Sequence, residues 1–158
     1  MEFGTTFFGI VLLALFSLPI ILSVISKNKR QKKMLVELNS FAGSYDCKID
    51  EFELAAKYSI GIDKNSNRLF FISTIETPIV QQVVDLTQVR NCTVVKRSSE
   101  NSEYGLVIER LALSLNPNNK MAPKIELEFY NADAASQLLN ELKSVNSWCE
   151  KLSSFLKA

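Results

Sequence analysis

The hydrophobic pattern changes period three times along the chain. Phe7 to Ile25 is an unbroken run of 19 residues without a charge, and fourteen of them are Leu, Ile, Val or Phe. As a helix such a run measures about 28 Å, close to the ~30 Å of a bilayer core. Beyond it, Leu35, Leu38 and Phe41 keep helical spacing up to Gly43, which predicts that the helix continues and stops there. From residue 44 the pattern turns to alternation, and from Asn131 it returns to a helical stripe.

Within the alternating region, Ile60 and Ile62 precede the turn cluster "DKNSN" (Asp63 to Asn67), and Arg68 to Thr74 resumes as a strand, which predicts a hairpin. Val80 to Leu86 is rich in β-branched residues, and "DLTQV" (Asp85 to Val89) reads as a tight corner. Asn91 to Arg97 alternates again. "SSENSEY" (Ser98 to Tyr104) reads as a polar loop, followed by a long strand from Gly105 with Leu111, Leu113 and Leu115 on one face. After the polar "NPNNKMAP", Lys124 to Tyr130 has the cleanest alternation in the chain. Residues 44–56 fit one short strand, two, or a helical turn.

The last segment reads as a helix capped by Asn131, with Asp133 in its first turn. Ala135, Leu138, Leu142, Val145, Cys149, Leu152 and Leu156 form one apolar stripe, widened by Trp148 and Phe155. The stripe suits a coiled-coil seam or a helix covering its own sheet. The sheet needs cover and the stripe is broad, which favours the second. Trp148, the only tryptophan, is then expected in the core with Phe70, Leu111, Leu113, Phe129 and Leu142.

Charge assigns an address. Lys27, Lys29, Arg30, Lys32 and Lys33 crowd the carboxyl end of the apolar run, and residues 1–6 contain no Lys or Arg. A cleaved secretory signal has a basic start, a shorter apolar core and a small-residue cleavage site. None of these is present, so the run is expected to be an uncleaved anchor. The positive-inside rule holds the basic end in the cytoplasm. The expected organisation is a short outside N-terminus (1–6), a transmembrane helix (7–25), a basic juxtamembrane segment (26–43) and a cytoplasmic domain (44–158), in the inner cell membrane.

Composition then narrows the chemistry. Five of the 18 Lys and Arg lie in the flank and one of the 17 Asp and Glu is Glu2, which leaves residues 34–158 with 13 basic and 16 acidic side chains, a net of −3. A mildly acidic domain without a basic stripe argues against nucleic acid as a partner. Histidine is absent, which removes His-based acid–base chemistry and Ser–His or Cys–His nucleophile pairs. Cys47, Cys92 and Cys149 are far apart and read as reduced thiols of a cytoplasmic domain. No cofactor, metal or catalytic centre is expected. Glu126 and Glu128 alternate with apolar residues and read as the wet face of a strand.

"VVDLTQVRNCTVV" (Val83 to Val95) and "IELEFYNADAASQLLNEL" (Ile125 to Leu142) resemble the strand–corner–strand and last-strand–helix passages of pleckstrin-homology-like (PH-like) and GRAM-like domains. With "IGIDKNSNRLFFI", "LALSL", "LEFYN" and Trp148, the chain also resembles a family of small bacterial single-pass membrane proteins with no assigned activity. The resemblance implies an α+β fold: an N-terminal transmembrane helix, then an antiparallel, strongly bent β-sheet or barrel closed by a C-terminal amphipathic helix. The role expected of such a chain is a membrane-anchored, non-enzymatic adaptor that docks a protein partner through an exposed sheet edge or the helix–sheet rim. In PH domains that grip phosphoinositides, basic residues surround the first hairpin. Here Lys64 and Arg68 flank that turn and stand as candidate head-group contacts beside the juxtamembrane cations, with membrane lipid as the alternative ligand.

Overall fold

The computed structural model describes the backbone of residues 2–101, 105–134 and 137–157, and the side chains of these except 2–18, 20, 21 and 101. The chain is α+β, with two helices and two antiparallel sheets. It divides into two units, residues 1–37 and 38–158.

α1 is one continuous helix, Glu2–Gly43, with Pro19 inside it. Most of the predicted span carries side chains outside the described residues. Among the described residues no helix is long and apolar enough to cross a membrane. The folded unit begins at Leu38, inside α1, where the sequence reading placed its boundary at 44. The chain leaves the helix through Asp46 at φ 55°, and the Cys47 N–H returns to the Ala42 carbonyl at 3.1 Å. A left-handed aspartate therefore makes the exit that the sequence suggested for Gly43.

The first sheet has the order β1 (Glu51–Leu54), β2 (Tyr58–Asp63), β3 (Arg68–Ser73), β4 (Val80–Asp85). β2 and β3 are the predicted hairpin, paired from Tyr58↔Ser73 to Asp63↔Arg68, and Asn67 takes φ 54° in its turn. The second sheet has the order β5 (Val89–Asn101), β6 (Gly105–Pro117), β7 (Ile125–Asn131). The predicted corner between the sheets is a 3-10 turn, Leu86–Gln88, capped by Asp85, whose carboxylate accepts from the Thr87 N–H at 2.9 Å. Neither sheet closes into a barrel, which corrects that part of the expected architecture.

Strand alternation splits the apolar residues of β2 and β3 between two cores. Tyr58, Ile60, Ile62, Leu69 and Phe71 face the main core with Leu111, Leu113, Leu115, Leu127, Phe129, Val145, Trp148 and Leu152. Phe70 and Ile72 face the opposite way and pack with Leu38 and Ala42 of α1. The first sheet is thus covered on both faces, and β2 is buried at every position. Gly61 is needed for this cover. A Cβ there would lie 2.9 Å from Ile49 Cγ2 and 3.1 Å from Leu38 Cδ2. Trp148 is buried as expected, but Phe70 is not its neighbour; Phe71 and Phe129 share its core. Leu142 is half-buried and packs on the same cluster.

Two boundaries differ from the sequence reading. β5 and β6 run on through most of the polar stretch expected as a loop, pairing Ser98↔Ile108, Ser99↔Val107 and Glu100↔Leu106. A two-stranded ribbon open to water accommodates polar residues, and Leu106 to Ile108 supply the β-forming side of the pair. The second helix, α2, spans Glu141–Phe155 with Asn140 as N-cap, not Asn131. Asn131 ends β7 instead: its side-chain oxygen accepts from the Asp133 N–H at 3.0 Å, and the Ala132 N–H still donates to the Glu109 carbonyl at 2.8 Å. The same side chain that caps helices closes this turn. Ala135 lies outside the described residues.

Candidate binding surface

α2 packs on β5, β6 and β7 and is tied to β1 by a polar seam. Ser144, Trp148 and Lys151 are spaced i, i+4, i+7, so they share one helix face. Glu51 and Glu53 are spaced i, i+2 and share one face of β1. Glu53 accepts from the Trp148 Nε1–H at 2.8 Å, from the Ser144 hydroxyl, and from the Tyr58 hydroxyl at 3.2 Å. Burial holds the Tyr58 phenol above its ordinary range, with the neighbouring Glu53 adding to it. Glu51 pairs with Lys151 at 2.6 Å and with Lys64. Lys151 and Lys64 together hold the Glu51 carboxyl down at about 2. Lys151 also lies 4.5 Å from the centre of the Trp148 ring.

The first hairpin is built around Asp63. Burial would raise its carboxyl, but N–H donors of Lys48, Ser66 and Asn65 at 2.9–3.1 Å outweigh this and hold it at about 2. The two candidate head-group cations beside it are both engaged. Lys64 pairs with Glu51, and Arg68 donates to the Tyr45 carbonyl at 3.3 Å and lies 5.9 Å from the Tyr45 ring centre. Lys27, Lys29, Arg30, Lys32 and Lys33 are exposed along α1.

A cleft of about 130 Å³ is lined by Phe71, Ser73, Glu76, Val80, Gln82, Arg110, Glu126 and Glu128. Its strands β4 and β7 are outer strands of their sheets. Arg110 pairs with Glu128 and, at 2.8 Å, with Glu126. Glu128 first, and Glu126 after it, hold the guanidinium above its ordinary value. Glu126 and Glu128 are therefore a clamp on an arginine. With Glu76 the lining carries three carboxylates to one cation, an arrangement that favours an incoming cation or N–H donor. The sequence showed Glu126 and Glu128 as a polar strand face; the i, i+2 carboxylates were the visible signal, and Arg110 was not.

The thiols are placed unevenly. Cys47 lies beside the first hairpin, with Sγ 3.2 Å from Ser66 Oγ. Cys92 and Cys149 come together, Sγ to Sγ 3.4 Å. Burial, with Cys92 beside it, pushes the Cys149 thiol up to about 11. No group of three or more metal-ligating side chains occurs among the described residues. No protein-family model, curated protein or solved structure matches the chain.

Proposed function

We propose that this chain is a membrane-anchored, non-enzymatic adaptor that presents a PH-like domain at the cytoplasmic face of the inner membrane and docks a protein partner. Support for the address comes from α1. Leu22, Val24 and Ile25 at the end of the apolar run are exposed, and the five cations follow on the same helix. Support for the PH-like reading is the order of four strands, a corner, three strands and a closing helix, an argument from architecture alone.

The observation that carries the docking reading is the cleft between β4 and β7. Among the described residues each is paired on one side only, so an extended segment can add to either edge through main-chain hydrogen bonds. Glu126 and Glu128 are held by Arg110, so Glu76 is the carboxylate of the lining that suits a Lys or Arg on that segment. The alternative, recognition of anionic head groups by Lys64 and Arg68, is disfavoured because each already has a partner within the molecule, Lys64 the Glu51 carboxylate and Arg68 the Tyr45 carbonyl.

The test is site-specific photo-crosslinking in native membranes, from Gln82 in the cleft lining and from the exposed Asn146 of α2, which is not part of that lining. Adducts to a protein from Gln82 and not from Asn146 support the proposal. Adducts to lipid alone, or none, contradict it. Flotation of the domain with anionic liposomes separates the alternative: head-group recognition requires binding that Lys64→Gln and Arg68→Gln abolish.

A further inference from the structure

Cys92 and Cys149 are 57 positions apart, on β5 and α2, yet their sulfurs are in contact. Cys92 sits mid-strand opposite Leu115. Its thiol lies 3.1 Å from the Cys149 carbonyl and 3.2 Å from Ser153 Oγ. Both carriers are regular elements packed on one core, so the pair is held by the fold. A disulfide requires the sulfurs to close from 3.4 Å to about 2.05 Å, a distance within reach of small side-chain rotations. Exposure separates the two thiols. Cys92 is buried at 7 % exposure, and Cys149 is half-buried. An oxidant from solvent therefore meets Cys149 first, with Cys92 behind it.

We propose that Cys92 and Cys149 are an internal dithiol that a peroxide oxidises to a disulfide, stapling α2 to β5. Cys149 sulfur attacks one peroxide oxygen, the O–O bond breaks, and the departing oxygen leaves as water, giving a sulfenic acid. Cys92 sulfur then attacks that sulfur; the S–S bond forms, the S–O bond breaks, and a second water leaves. Two thiols and one hydrogen peroxide give one disulfide and two waters, and each thiol proton ends on a departing oxygen. Burial keeps Cys149 protonated at neutral pH, so closure is slow and belongs to sustained oxidation rather than rapid turnover. Thiol–disulfide exchange with a reductant reopens the pair.

The test uses the full chain in detergent, treated with hydrogen peroxide, quenched with a maleimide and mapped by mass spectrometry without reduction. The expected product is a Cys92–Cys149 linked peptide lighter by two hydrogens. Cys47 stays outside that link, and the Cys47→Ser variant gives the same product. The oxidised chain should melt several degrees higher, and dithiothreitol should reverse the shift, because the link constrains the unfolded chain. Sulfenic or sulfinic acid accumulating on Cys149 while Cys92 stays alkylatable overturns the proposal. So does a link through Cys47, or absence of the linked peptide under conditions that oxidise a free-cysteine control peptide. The folded fraction of Cys92→Ala and Cys149→Ala need not match wild type, since the mapping on the native sequence decides.

Discussion

The Trp148 indole N–H on α2 donates to Glu53 Oε2 on β1 at 2.8 Å. This bond joins the helix that covers the second sheet to the edge strand of the first. Trp148 supplies a large apolar body to the main core and spends its one polar atom on a carboxylate that also receives Ser144 and Tyr58. The helix is therefore located by packing and oriented by Glu53.

Removing either partner should be costly in different ways. Trp148→Ala deletes a fully buried ring and should lower stability by about 3–5 kcal/mol. Glu53→Ala leaves three donors short of an acceptor and should cost about 1–3 kcal/mol. Trp148→Phe retains most of the ring and removes the N–H, so its effect should be non-additive with Glu53→Ala in a double-mutant cycle. Denaturant unfolding of the detergent-solubilised chain measures all three. Additive effects would break the link between ring and carboxylate. The native Trp148 emission should be blue-shifted, moving red on unfolding.

Acid should weaken the fold through Asp63. Its folded carboxyl sits at about 2 against an ordinary 3.8. A depressed folded value gives stability that is complete above about pH 4 and is lost as pH falls toward 2. Glu51 titrates in the same window, but its partners are exposed, so salt should screen its share. Asp63→Asn should flatten the acid limb of a stability–pH curve at high salt, where the Glu51 share is reduced. An unchanged limb in that variant would assign the acid sensitivity elsewhere.

Gly61→Ala should destabilise the folded unit by about 1–3 kcal/mol, as overpacking does. The added methyl meets Ile49 and Leu38 rather than open space. Ile49→Ala, which removes the nearest atoms, should recover part of that loss in the double variant. A neutral Gly61→Ala would mean that the α1 end does not press on β2.

Much of this was legible in the chain because burial writes its own pattern. Leu111, Leu113 and Leu115 alternate since one face of β6 meets the core, and Asp85 to Val89 carries its corner in a side-chain cap. The sequence marked Arg68 to Thr74 only as half of a hairpin; the consecutive apolar residues Leu69 to Ile72 have their reason in cover on both faces, which nothing local ascribed to α1. Glu53 was not legible: the alternation of Glu51 to Leu54 reads as carboxylates outward, whereas Phe52 is exposed and Glu53 meets α2. The Cys92–Cys149 contact and the Arg110 clamp are tertiary, and no spacing rule reaches them. Asn131 misled because an Asx turn and a helix N-cap use the same side chain.

The five cations set the orientation in this account. Replacing Lys27, Lys29, Arg30, Lys32 and Lys33 together with Gln should scramble the topology, because Phe7 to Ile25 has no opposing charge bias beyond Glu2. A reporter active only in the cytoplasm, fused after Ala158, should be active in the wild-type chain and lose much of that activity in the variant. Full activity in the variant would show that the flank does not direct insertion.

Protease protection in sealed membranes tests the central claim most directly. With the full-length chain in vesicles that keep the cellular orientation, protease added outside should leave residues 38–158 intact and membrane-bound. The same protease should reach the loop of residues 118–124, with its exposed Met121, once the vesicles are opened. Cleavage of the domain in intact vesicles, or its release as a soluble chain lacking residues 7–25, would contradict a cytoplasmic adaptor held by an uncleaved anchor.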